Sequence, residues 1–149
     1  MTRLLVLRLS ALGDVIHTLP AVAALRGVAE VSWVVEAPYR ELVEIVAGVH
    51  AIPVRIKQWP SGMRDALRSI RAVRADTSVD FQGLIKSSAL GFASGANQRY
   101  GFAANAIREK AALLFTNHHV SVDTTKHVIE QNLELARAVV GAAGASPAG

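Results

Sequence analysis

The hydrophobic positions of this chain follow two alternating patterns. Short apolar runs, which are typical of buried parallel strands, are separated by longer stretches with helical spacing. The first apolar run covers residues 4–9 and the first helical stretch covers residues 15–26. Further strands or short extended pieces are predicted at residues 31–35, 51–56, 79–81, 99–102 and 119–122. Further helices are predicted at residues 38–47, 63–75, 86–92, 104–115 and 125–140.

This alternation predicts an α/β fold. Strands that alternate with helices favour a parallel sheet with helices on both faces, which is a Rossmann-like arrangement. Residues 141–149, with the sequence GAAGASPAG, have the composition of a linker. We therefore expect residues 1–140 to form one domain and residues 141–149 to be an interdomain linker, with a second domain absent from this chain.

Composition and charge narrow the possible classes. A chain of 149 residues with 51% hydrophobic residues suits one domain with a sizeable core, which excludes a largely disordered protein. The absence of cysteine excludes disulfides, thiolate metal sites and cysteine nucleophiles. Charged residues, among them Arg8 and Asp14, interrupt the apolar stretches, so we expect no transmembrane span, no signal peptide and a cytoplasmic location. The net charge of +4 favours an anionic partner.

The loop after the first predicted strand is the strongest candidate for a site. It runs from Ser10 to Asp14, and ligands of open α/β sheets bind at the end of the sheet where such loops lie. Gly13 permits close backbone approach, and free N–H groups at a helix start favour anions. The sequence lacks both the dinucleotide-binding glycine pattern and the P-loop pattern. Spacing alone leaves Asp14 with two interpretations, a helix N-cap or a general base.

Several motifs, in order along the chain, resemble the lipopolysaccharide heptosyltransferases. Residues 8–21, RLSALGDVIHTLPA, are similar to the opening of these enzymes. Residues 79–89, VDFQGLIKSSA, resemble the D-x-Q-G-L-x-K-S segment of their type I members. Shorter matches follow at residues 100–102 (YGF), 108–109 (RE), 117–119 (NHH) and 127–132 (HVIEQN). The resemblance covers nearly the whole chain.

The resemblance implies a fold and a reaction. The family consists of GT-B glycosyltransferases (glycosyltransferase family 9), in which two Rossmann-like domains face a cleft, and this chain corresponds to the N-terminal, acceptor-binding half. The implied reaction transfers L-glycero-D-manno-heptose, with inversion, from ADP-L-glycero-D-manno-heptose to Kdo of Kdo2-lipid A, in lipopolysaccharide inner-core synthesis. It implies no required metal or other cofactor, no nucleic acid partner, and peripheral contact with the cytoplasmic face of the inner membrane. The alternative is a stand-alone module that binds an anionic saccharide or nucleotide without catalysis.

The resemblance also assigns roles to residues. Asp14 matches the catalytic base of the family, which removes the proton of the acceptor hydroxyl. The predicted acceptor-binding residues are Ser10, Gly13, His17, Lys57, Gln82, Lys86, Ser87 and Arg108. Lys57 belongs to a predicted acceptor loop together with Arg55 and Trp59. For Lys86 and Arg108 the alternative is an exposed cation without a ligand, and for His17 it is a structural role.

The remaining polar and aromatic residues have simpler interpretations. His118, His119 and His127 do not have the spacing of a compact zinc site, so no metal site is predicted. Trp33 lies in a predicted strand and is expected in the core. Four arginines recur along the third predicted helix, and we interpret them as a solvated face rather than a lipid-binding patch. They are Arg64, Arg68, Arg71 and Arg74.

Overall fold

One fully parallel sheet organises the protein. The structure is a computed structural model that describes residues 2–58 and 61–145. The strands are β1 (Thr2–Leu7), β2 (Ala29–Glu36), β3 (His50–Val54), β4 (Thr77–Asp80), β5 (Gln98–Phe102) and β6 (His118–Val120). Their order is β3-β2-β1-β4-β5-β6, and all neighbouring pairs are parallel. The chain builds outward from β1 in one direction and then continues from β4 in the other, so the strand order reverses between β1 and β4. In open α/β sheets, ligands bind at such a switch point.

The helices cover both faces of the sheet, which confirms the predicted α/β class. They are α1 (Leu12–Arg26), α2 (Arg40–Leu42), α3 (Ser61–Ala72), α4 (Ile85–Ala93) and α5 (Val128–Ala145). Short helical turns extend α2 on both sides, at Ala37–Tyr39 and Val43–Ala47, and two more lie at Ile56–Gln58 and Lys110–Leu114. Within the described part of the chain, no helix combines the length and the apolar character that a membrane crossing requires.

The central strand β1 explains why the sheet needs cover on both sides. Leu4 and Val6 belong to one core cluster with residues of α1 and α5, whereas Leu5 and Leu7 belong to a second cluster with residues of α3 and α4. All four side chains are buried. A strand buried on both faces has a continuous apolar run instead of an alternating one. Trp33 is buried in the first cluster as expected, and its Nε1 donates a hydrogen bond to the carbonyl of Arg8 at 3.0 Å.

Several predicted boundaries were wrong. The helix expected at residues 104–115 is a turn followed by the short helical turn Lys110–Leu114. The N–H groups of Ala106 and Ile107 both donate to the carbonyl of Ala103, and this closes the turn immediately after β5. At the other end, α5 continues to Ala145, well into the segment 141–149 that was expected to be a linker, because alanine favours helix. Residues 146–149 lie outside the described residues, and the linker role of the segment stays a prediction.

Candidate active site

Two loops meet at the switch point of the sheet. The first loop, residues 8–11, joins β1 to α1, and the second loop, residues 81–84, joins β4 to α4. Oε1 of Gln82 accepts hydrogen bonds from the N–H groups of Leu9 at 2.7 Å and Ser10 at 3.4 Å. Gln82, which the sequence predicted to bind the acceptor, is itself buried. Its two hydrogen bonds fix the position of the first loop.

Asp14 lies in the first turn of α1, beside both loops. Ala11 occupies the N-cap position, and the N–H of Ala11 donates to Oδ2 of Asp14 at 3.3 Å. The same Oδ2 lies 2.9 Å from Nη2 of Arg8. Oδ1 accepts no hydrogen bond from any residue in the described ranges. Asp14 therefore helps to cap α1 through one oxygen and retains a second oxygen for chemistry, so the two interpretations from the sequence are compatible.

The electrostatic surroundings keep Asp14 ionised. Partial burial raises the pKa of Asp14, but the charge of Arg8 and the hydrogen bonds from Ala11 and Arg8 outweigh it, and Arg108 acts in the same direction. The pKa of Asp14 consequently lies below that of an ordinary aspartate. Burial lowers the pKa of Arg8. The ordinary pKa of a guanidinium is so far above neutral pH that Arg8 stays protonated nevertheless. The site is an ion pair of a buried cation and a partly exposed anion.

Sequence reasoning did not single out Arg8 as part of the candidate site. The signal was present, because a charged residue directly after the buried run of β1 needs a partner in order to be buried. Asp14 is that partner, six residues further along the same motif.

The second loop is held by a carboxylate that sequence reasoning did not single out. Asp80 ends β4 and is buried, and it accepts hydrogen bonds from the N–H groups of Gln82 at 3.0 Å and Gly83 at 3.2 Å. Ser88 Oγ donates to the same carboxylate at 2.6 Å. Burial raises the pKa of Asp80. Gly83 has a φ of +72°, and a Cβ there would lie 3.3 Å from the backbone nitrogen of Arg108, so this turn requires glycine.

Ser87 supports the start of α4. Its hydroxyl donates to the carbonyl of Leu84 at 3.0 Å and accepts from the N–H of Leu84 at 3.3 Å. The side chain is fully buried. The structure therefore gives Ser87 a structural role at the helix start, and its hydroxyl does not face solvent as the predicted acceptor contact would require.

Two of the predicted acceptor-binding residues are exposed, positively charged side chains near the site. Lys86 is in the first turn of α4, at the rim of a groove of about 520 Å³ between α3 and α4. The groove is otherwise lined by Leu9, Met63, Leu67, Ile85, Ala89, Leu90 and Ala93. Arg108 lies in the turn after β5, which Glu109 ties to the second loop. The N–H of Glu109 donates to the carbonyl of Gly83 at 3.0 Å, and its Oε1 accepts from the N–H of Ile85 at 2.9 Å.

The other predicted acceptor residues differ in what surrounds them. A Cβ built on Gly13 would have nothing within 4 Å, so the space beside this exposed glycine is open to a ligand. Ser10 is half-buried in the first loop. Lys57 is exposed in the turn Ile56–Gln58, and no contact in the described residues links it to Asp14. Trp59 of the same predicted acceptor loop lies outside the described residues.

The histidines have structural contacts. The ring of His17 packs edge-on against that of His127, with ring centroids 5.2 Å apart, which favours its structural interpretation. Nδ1 of His127 accepts from the N–H of Ile129 at 3.1 Å, at the start of α5. Nε2 of His119 lies 3.1 Å from two carbonyl oxygens, and His118 stacks on Tyr100. Residues 2–58 and 61–145 contain no group of three potential metal ligands.

Comparison with solved structures defines the class. The solved structure of the E. coli heptosyltransferase WaaC with ADP superposes with a TM-score of 0.81 and 30% identity, covering 94% of this chain and 47% of that one. A second structure of that enzyme, with ADP-2-deoxy-2-fluoro heptose, gives a TM-score of 0.77 at 29% identity, covering 94% of this chain and 49% of that one. The fold is thus the Rossmann-like α/β layer of a GT-B glycosyltransferase. The model of the family described as "Glycosyltransferase family 9 (heptosyltransferase)" matches residues 63–149, and the chain belongs to this family.

Within this family, the chain is similar to relatives of one particular type. Lipopolysaccharide heptosyltransferase 1 of Escherichia coli strain K12 is 33% identical over 147 residues, which covers 89% of this chain and 46% of the relative. The enzyme of the same name from Pseudomonas aeruginosa strain PAO1 is 32% identical, and the match covers 89% of this chain and 41% of the relative. The chain spans about half the length of the curated relatives it matches.

Proposed function

We propose that this chain is the acceptor-binding half of an inverting heptosyltransferase of type I. In the full-length protein of this proposal, a second half binds ADP-L-glycero-D-manno-heptose, and heptose is transferred to Kdo of Kdo2-lipid A. The observation that carries the proposal is the ionised Asp14, with Oδ1 open, at the switch point of a family 9 chain. The fluoro-heptose analogue bound by a solved relative supports the donor.

The geometry suits removal of a proton from an acceptor alcohol. The hydroxyl oxygen of Kdo attacks C1 of the heptose as the bond from C1 to the diphosphate oxygen breaks, and the bonding electrons leave with ADP. The hydroxyl proton passes to Oδ1 of Asp14. Because Asp14 has a low pKa, it is a weak base that accepts the proton late, once the attacking oxygen has become acidic. Its negative charge also stabilises positive charge that develops on the sugar.

Exposed cations on the same edge suit an anionic acceptor. Kdo carries a carboxylate and lipid A carries phosphates, and Lys86 and Arg108 are both exposed close to the loops that hold Asp14. The net charge of +4 favours approach to an anionic lipid surface. On this basis we propose that the full-length protein acts in the cytoplasm, in peripheral contact with the inner membrane.

The test is a transfer assay with the full-length protein. We expect mass spectrometry to show one added heptose on Kdo2-lipid A in the presence of ADP-heptose. Lipid A without Kdo is the control acceptor and should remain unmodified. Binding of ADP-heptose and Kdo2-lipid A without any product would instead support the alternative, a stand-alone binding module.

A further inference from the structure

We infer that Arg8 is a positioning residue for Asp14, which holds Oδ2 so that Oδ1 alone receives the acceptor proton. The inference rests on the proposed function, because it assumes that Asp14 acts as the base. It concerns a residue that lies behind the carboxylate and is almost entirely inaccessible to a substrate, since only 9% of its side chain is exposed.

Contacts on several sides fix the orientation of Arg8. Its Nη1 donates to the carbonyl of Phe81 in the second loop at 2.9 Å, and its Nη2 lies 2.9 Å from Oδ2 of Asp14. Its own carbonyl accepts the hydrogen bond from Nε1 of Trp33 in β2. The guanidinium is therefore attached to the loop that follows the central strand β4, and the backbone of Arg8 is attached to β2. Both attachments lie in the interior of the sheet, and their rigidity is transmitted to the carboxylate. A base held in one orientation avoids the loss of rate that follows from a small displacement.

The two oxygens of Asp14 are made unequal by this arrangement. Oδ2 has two donors, the guanidinium of Arg8 and the N–H of Ala11, whereas Oδ1 has none among the residues that the structure describes. An oxygen that already accepts two hydrogen bonds, one of them from a cation, is the poorer proton acceptor. The proton of the acceptor hydroxyl therefore goes to Oδ1, and Arg8 stays protonated throughout.

Arg8 is also a buried charge with an incomplete set of partners. Asp14 is its only ion-pair partner in the described ranges, and its buried Nε donates to no residue there. A buried guanidinium is costly to retain, and an apolar residue would suit the end of β1 better. Such a local conflict is expected where a residue serves the site rather than stability.

Arg8 further prepares the site for the next turnover. After transfer, protonated Asp14 lies beside a fixed positive charge, which favours release of the proton to solvent. The other charged groups that face this pair are Arg108 in the turn after β5 and Asp80 at the end of β4. His17 follows one turn later on α1, with its ring packed against His127.

The kinetic test compares Arg8→Gln, Arg8→Lys and the matched control Arg3→Gln in the full-length protein. Arg3 is on the same strand, but its side chain is about half exposed and its ion-pair contact with Glu30 is 4.0 Å long. We expect Arg8→Gln to lower kcat by about 10²-fold with little change in the acceptor KM. The acid limb of the kcat profile should move to higher pH, because Asp14 loses its cation. Arg8→Lys keeps a charge and should shift the limb less, and Arg3→Gln should change neither quantity.

A second measurement separates positioning from folding. Carbon-13 NMR titration of the Asp14 carboxyl in the 149-residue chain should give a higher pKa in Arg8→Gln than in the wild type and Arg3→Gln. The amide spectrum reports whether each variant is folded. If Arg8→Gln is not folded, Arg8→Lys carries the test: lysine lacks the planar fork that holds both Asp14 and the carbonyl of Phe81, so its kcat should also fall. Equal Asp14 titration in folded Arg8→Gln, or wild-type kcat in Arg8→Lys, overturns the inference. The two proposals can also fail separately. If the pKa of Asp14 depends on Arg8 but the wild-type full-length protein transfers no heptose, the proposed function is overturned and the coupling of the ion pair remains.

Discussion

At the residue scale, the proposed reaction depends on the charge of Asp14. Its carboxylate is partly exposed and has one oxygen held by Arg8 and Ala11. Because the pKa of Asp14 is lowered by folding, its ionised form stabilises the native state above the pKa of the unfolded chain. This contribution is lost as the pH falls through the native pKa of Asp14. Activity that depends on the ionised form should fall over the same range.

Replacement of Asp14 tests the catalytic role directly. Asp14→Asn keeps the size of the side chain but removes the base, so we expect kcat of the full-length protein to fall by roughly 10²- to 10⁴-fold. The acceptor KM should change little. Asp65→Asn, at a highly exposed position on α3, is the control and should retain activity. Near-normal turnover by Asp14→Asn would leave Asp14 only its capping role.

The exposed cations are expected to act on binding rather than on chemistry. Lys86→Ala and Arg108→Ala should each raise the KM for Kdo2-lipid A by up to about tenfold at low ionic strength, with a smaller effect on kcat. Added salt should reduce the difference between variant and wild type. Arg137→Ala, an exposed position on α5, serves as the control. An unchanged acceptor KM in both variants at low salt contradicts this assignment.

At the scale of elements, the close contact of α4 with β1 positions the second loop against the first. Gly91 of α4 faces this contact, and a Cβ there would lie 2.8 Å from Cδ1 of Leu7 and 3.2 Å from Oγ of Ser78. Both neighbours are buried, so they have little room to move. The start of α4 carries Lys86, so a shift of this helix would move this proposed acceptor contact as well as the core.

A pair of glycine substitutions separates this contact from helix propensity. Gly91→Ala should lower the free energy of unfolding by about 1 kcal/mol, because overpacking outweighs the gain in helix propensity. Gly141→Ala in α5, where a Cβ meets nothing within 4 Å, should raise it by up to about 1 kcal/mol. Denaturant unfolding of the 149-residue chain measures both. An increase of similar size in both variants would show that α4 has room for the added methyl group.

The elements also show how far sequence reasoning reaches. The central strand was predictable because burial on both faces requires the continuous run at Leu4–Leu7. The helix expected at residues 104–115 failed because long-range bonds of Glu109 to Gly83 and Ile85 determine that segment, and a local pattern does not contain them. Asp14 was singled out as the candidate base through its place in a loop and a motif, and its catalytic role stays a prediction. The role of Arg8 depends on contacts to Phe81 and Trp33, which only the folded chain brings together.

At the scale of the whole molecule, the sheet of this chain has its own cover, whereas the proposed transfer needs a second half as well. Both faces of the sheet are covered within the described residues, so we expect the 149-residue chain to fold. Transfer also requires groups that hold the leaving diphosphate opposite the attacking hydroxyl. The curated relatives are about twice as long, and we expect those groups to lie in the second half of the full-length protein.

The isolated chain should accordingly bind acceptor weakly and transfer nothing. Calorimetric titration with Kdo2-lipid A and with ADP-heptose measures binding of each ligand, and mass spectrometry of the mixture measures product. The full-length protein under the same conditions is the positive control. Robust turnover by the 149-residue chain would show that the donor site lies within it.

The strand order has a consequence for how the protein is made. On the ribosome, β2 and β3 can pair with β1 early, but the other edge of β1 waits for β4, more than 70 residues later in the sequence. Until then Leu5 and Leu7 lack the cover that α4 supplies through Leu90, since this helix follows β4 in the sequence. Unpaired strand edges with exposed apolar side chains are prone to aggregate, and contacts this distant in sequence form slowly. Because Gln82 and Phe81 reach the first loop only when β4 joins, a nascent chain acquires its ion-pair geometry in the same step that protects it from aggregation.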